Sequence, residues 1–91
     1  MKEYCLSIRS SSEADVVIDV DQVLRGFNRL CRDSVLEFIK GTYRGRIGVL
    51  VRVLTNREEC VNLVKTLIVT LSDADVVFKN VSCKNPFDSM G

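Results

Sequence analysis

The side chains able to do chemistry in this chain are few in kind, because none of its 91 residues is a histidine. A Ser-His-Asp or Cys-His centre, an HExxH zinc site and a histidine base working near neutrality all fall away with it. The four cysteines, Cys5, Cys31, Cys60 and Cys83, lie 26, 29 and 23 residues apart with no CxxC pair. They are expected to be reduced, small core residues rather than zinc ligands or disulfides. Cys60 falls in the first turns of an expected helix, where the dipole lowers a thiol pKa, but it stands on that helix's apolar stripe and so reads as buried. Two carboxylate pairs, Asp19 with Asp21 and Asp73 with Asp75, could hold a divalent cation with a substrate phosphate. Residues two apart on a helix do not share a face, so both pairs read as solvated surface. The five glycines are scattered, with no GxGxxG or GxxxxGK[ST] among them, so no phosphate-cradling loop is expected. The sequence is thus expected to carry no catalytic residue, no cofactor and no metal, and to work by binding.

What remains is basic. The net charge of +1 conceals a middle, residues 22 to 57, with Arg25, Arg29, Arg32, Lys40, Arg44, Arg46, Arg52 and Arg57 against Asp33 and Glu37. The flanks are acidic. Arg25, Arg29 and Arg32 gather towards the end of an expected helix, and Tyr43, Arg44 and Arg46 sit at an expected hairpin tip, a set suited to RNA phosphates and base stacking. With so small an overall charge, binding by this chain alone would be weak and strongly salt-dependent.

The elements that must position these residues are legible in part. Lys2 to Arg9 places Tyr4, Leu6 and Ile8 on one side and Cys5 and Ser7 on the other, as a half-buried strand does. Ser10 and Glu13 fit a capping box, after which Ala14, Val17, Val20 (or Asp21), Leu24 and Phe27 recur at the spacing of a helix that should end near Gly26 or shortly after, although Val16 to Val20 has the β-branched content of a strand. VLEFIKGTY and RIGVLVRVL read as a hairpin turning at Arg44-Gly45. On its second arm Ile47, Val49, Val51 and Val53 share one face, and Gly48, Leu50, Arg52 and Leu54 the other. Thr55 and Glu58 fit a second capping box, and Cys60, Leu63, Val64, Leu67, Ile68 and Leu71 trace an apolar stripe. That stripe continues through Ala74, Phe78 and Val81, so the expectation is one helix of about 26 residues, with a strand at 74–81 as the alternative.

The predicted architecture is α+β: a three-stranded antiparallel sheet with two helices on one face, in the order strand-helix-strand-strand-helix. A fourth strand at 74–81 would instead make it ferredoxin-like. Residues 1–83 form the expected domain and 84–91 a flexible tail. With three strands, one largely apolar sheet face lies open, and Ile47, Val49, Val51, Leu67, Leu71 and Phe78 become candidates for a dimer or partner interface. No apolar run is long enough to span a membrane, and Met1-Lys2-Glu3-Tyr4 does not read as a signal peptide, so a cytoplasmic, membrane-free protein is expected.

The pattern resembles the small dimerising, Pcc-type subunit of the KEOPS complex, which makes threonylcarbamoyladenosine on tRNA. YCLSIRSSSEAD resembles that family's opening strand and helix start, RIGVLVRV its second hairpin arm, and ECVNLVKTLIVTLS its long final helix. Val61 stands where the family usually has Arg, and Thr66 where it has Asn, so the likeness is that of a diverged relative or paralogue. It implies a non-catalytic subunit, a homodimer or a heterodimer with a paralogue, that docks the catalytic kinase-like subunit and supports tRNA binding. The runner-up is the small Pop-type protein subunit of ribonuclease P, whose strand, helix and hairpin followed by helix and strand suit the four-strand reading. A ferredoxin-like module binding a small effector is the alternative outside RNA processing.

Overall fold

A computed structural model describes residues 1–10, 17–43, 46–72 and 75–84. Six elements follow in order: β1 (Lys2–Ser10), α1 (Val20–Leu30), β2 (Val35–Tyr43), β3 (Arg46–Thr55), α2 (Glu58–Leu71) and β4 (Val76–Val81). The strands form one antiparallel sheet in the order β2-β3-β1-β4. The α+β class stands, and the four-strand version of it fits. The stretch expected to prolong the second helix divides instead, with α2 closing at Leu71 and β4 pairing its Phe78 with Ile8. The β-branched and aromatic content of Val-Val-Phe prevails here over the heptad spacing, because β1 offers an edge on which those side chains can pack. At 1.5 Å per residue α2 is only about 21 Å long, so no overlong helix projects.

Both helices lie on one face of the sheet. Strand alternation puts Leu6 and Ile8 of β1 beside Val49, Val51 and Val53 of β3, and these join Val23 and Phe27 of α1 and Val64 and Ile68 of α2 in a continuous core. Each of those residues is almost or wholly shielded from water, which is where apolar side chains contribute most to stability. Gly26 marks the crossing of the helices: a Cβ there would come within 2.9 Å of the Leu67 side chain. That close approach explains a glycine inside α1, where it otherwise costs helix stability.

Two capping expectations are corrected. Ser10 ends β1, Glu13 and Ala14 lie outside the described residues, and α1 begins at Val20, where Asp19 Oδ1 accepts from Gln22 N at 3.2 Å. The helix runs through Gly26 to Leu30, and Val23 and Phe27, four apart, are its buried pair, whereas Val17 is exposed. The β-branched run before Asp19 resists the helical backbone, and an aspartate cap fixes the start later. At the second box the N-cap is Arg57, with no side-chain cap; Thr55 Oγ1 instead accepts from Arg57 N at 3.1 Å, closing a tight turn ahead of α2.

The cysteines are corrected too. They form two disulfides, Cys5–Cys83 and Cys31–Cys60, with Cα separations of 5.4 and 6.3 Å. Sequence spacing hides both, because sheet pairing brings residues 5 and 83 together, and the helix crossing does the same for 31 and 60. Of the expected tail, residues 85–91 lie outside the described residues. Among the described residues no helix is long and apolar enough to cross a membrane.

Candidate functional site

The basic residues divide between two places. Arg25 and Arg29 stand one turn apart on the exposed side of α1, and Arg32 follows just past its end, also exposed. Arg57, outside the expected site set, joins them: its Nη2 donates to the Leu30 carbonyl at 3.2 Å. A cation there complements the negative end of the helix dipole and occupies one of the carbonyls a helix leaves without a partner. The sequence signal for it was only its membership of the basic middle, since the turn that brings Arg57 to α1 depends on Thr55 and Ser34. Ser34 Oγ donates to Thr55 Oγ1 at 2.8 Å, holding the start of β2 against the end of β3.

The second place is the hairpin tip. Tyr43 pairs with Arg46 and Thr42 with Ile47 in the β2–β3 register; Arg44 and Gly45 between them lie outside the described residues. The tip stands at the opposite end of the β2–β3 ladder from the Val35–Leu54 pair, beside which Ser34 and Thr55 meet. The end of the hairpin that carries Tyr43 and Arg46 is therefore not the end at which Arg57 meets α1.

On the face away from the helices, Arg52 bridges two strands. Its Nε donates to Glu3 Oε2, and its Nη1 reaches Glu37 Oε1 at 3.5 Å, all three groups being substantially exposed. Such a network is worth at most about 1 kcal/mol in water. Cys5, Ser7 and Leu50 are buried on this face, whereas Val35, Ile39 and Val77 are exposed.

The residues expected at a partner interface are placed as follows. Val49 and Val51 belong to the core beneath the helices; Leu67, Leu71 and Phe78 are half-buried against it. Phe78 sits on β4 rather than on a projecting helix end.

One concavity lies where β4 stops at Val81 while β1 runs on to Lys2. It is an open cavity of ≈ 580 Å³ whose wall includes Glu3, Cys5, Glu58, Lys65, Asn80 and Cys83. The carboxylate of Glu3 and the sulfurs of Cys5 and Cys83 converge there within 4.8 Å of one another.

No protein-family model, no curated protein and no solved structure matches this chain.

Proposed function

We propose that the chain is a non-catalytic protein subunit of a tRNA-processing ribonucleoprotein, the small Pop-type subunit of ribonuclease P. The observation that carries this reading is β4. With it the order becomes strand-helix-strand-strand-helix-strand around an antiparallel sheet, the ferredoxin-like arrangement suited to that subunit. The surface assigned to RNA is the exposed face of α1 and the turn beyond it, where Arg25, Arg29 and Arg32 meet phosphates. Arg57 contributes charge there while it holds the helix end. Contacts of this kind position RNA without reading its sequence.

A second reading, the KEOPS Pcc-type subunit, rests on the resemblance of β1, of the second hairpin arm and of α2. It would place the chain in a dimer that docks the kinase-like subunit on the way to tRNA. β4 weighs against it, since it occupies the β1 edge that a three-strand sheet would leave open. Cytoplasmic placement belongs to both readings. Disulfides are uncommon in a reducing compartment, so both also require a protein that works with its cysteines reduced.

Affinity purification from the native host separates the two. Recovery of a catalytic RNA with its proteins is expected; recovery of a threonylcarbamoyl transferase of kinase-like fold would replace the first reading by the second, and neither would overturn both. Changing Arg25, Arg29 and Arg32 together to Ala should weaken precursor-tRNA binding at low salt. It should also lower the slope of log K against log salt by roughly 2 to 3, as expected for three lost phosphate contacts. The same changes at Arg44 and Arg46 measure the hairpin tip separately.

A further inference from the structure

We propose that Glu3, Cys5 and Cys83 form a zinc site in the reduced protein, replacing the Cys5–Cys83 disulfide with a metal clasp between β1 and the segment leaving β4. Among the described residues these three converge, one ligand atom each, within 4.8 Å. Two thiolates and a carboxylate are a donor set that zinc accepts, and a tetrahedral ion with Zn–S bonds of about 2.3 Å holds its sulfurs roughly 3.8 Å apart. The Cα atoms of Cys5 and Cys83 are already 5.4 Å apart, and Cys83 follows the last residue of β4 by two positions. The sulfurs can therefore separate with little movement of the sheet. Glu3, Cys5 and Cys83 all border the open cavity at the end of β4, so water can complete the shell.

The chemistry balances with a dithiol reductant. Two electrons and two protons convert the disulfide to two thiols as the reductant is oxidised to its own disulfide. Zinc then displaces the two thiol protons to solvent, and the Glu3 carboxylate turns from Arg52 to the metal. Cys31–Cys60 differs in both respects that matter. It is buried between the helices, and no carboxylate converges on it among the described residues. The Cys5–Cys83 pair is the more accessible: Cys83 is only half-buried and lines the open cavity. Reductant and metal should both reach it first.

The test is metal uptake by the whole chain, reduced and kept without oxygen. Zinc affinity is read by competition with a chromophoric chelator, and cobalt(II) serves as the optical reporter of thiolate ligation. Reduced wild type should take up about one equivalent and show a cobalt–thiolate band, and the oxidised protein should show neither. Cys83→Ser should abolish the band, and Glu3→Gln, a change at an exposed side chain that leaves the core untouched, should weaken zinc binding by about tenfold or more. The site is refuted if reduced wild type takes up no stoichiometric zinc, if the oxidised protein binds it equally, if the band survives Cys83→Ser, or if Glu3→Gln leaves the affinity unchanged.

Discussion

The two faces of this sheet each bury a hydroxyl, and they treat it in opposite ways. Thr55, at the end of β3 where the chain turns towards the helix-covered side, is fully buried, accepts from Ser34 Oγ and from Arg57 N, and lies 3.3 Å from the Arg57 carbonyl. Ser7, at the centre of β1 on the other side, is as deeply buried, and its Oγ has no hydrogen-bond partner among the described residues. The helix side is a finished interior: apolar rows meet apolar rows and the polar atoms at its border are satisfied. The other side has a buried centre of Cys5, Ser7 and Leu50 within a rim that mixes Arg52 and Glu37 with exposed Val35, Ile39 and Val77. Stability should therefore be concentrated on one face, and the other should tolerate change.

The helix face should break first. Phe27 has no exposed surface and stands among the residues that join α1 to the sheet. Phe27→Ala removes most of a large side chain from a site that the helix crossing at Gly26 keeps from collapsing. A loss of about 3 to 5 kcal/mol is expected in urea unfolding, enough to unfold much of a domain this small. A loss below about 1 kcal/mol would mean that the core is not organised around α1.

How far this contrast was legible in the sequence follows from what each signal depends on. Period-two alternation gave the helix-facing row Tyr4, Leu6, Ile8 and its counterpart Val49, Val51, Val53, because burial on one face leaves that imprint directly. The start of α1 is not legible from the capping pattern, since Ser10-Glu13 offers one nine residues before Asp19 does the capping. β4 was hidden behind a stripe that fits a helix as well as a strand, and only the free edge of β1 decides between them. The cysteine pairs and the Glu3 cluster depend on contacts across 78 and 29 positions, to which no local pattern refers. Arg25, Arg29 and Arg32 fall on α1 and just past its end, but the part played by Arg57 waits on a side-chain bond to Leu30 that spacing does not encode.

An intermediate effect is expected at Thr55. Thr55→Val keeps the shape but leaves Ser34 Oγ and Arg57 N without their acceptor in a partly buried turn. Unmade bonds of this kind cost about 1 to 3 kcal/mol. Because the same turn carries Arg57 to the end of α1, amide exchange at Cys31, whose N–H donates to the Phe27 carbonyl at 2.7 Å, should accelerate in this variant. Unchanged exchange there would separate the turn from the helix end.

The smallest effect, and the one that most sharpens the contrast, belongs to Ser7. A hydroxyl buried without a partner has lost its hydrogen bonds to water and gained none in return. Ser7→Ala deletes that group and almost no volume, so the protein should unfold at an unchanged or slightly higher denaturant concentration, with a gain of at most about 1 kcal/mol. A clear loss of stability, comparable to Thr55→Val, would show that Ser7 is as fully satisfied as Thr55. The second face would then be a finished interior like the first, and the asymmetry between the two faces would disappear.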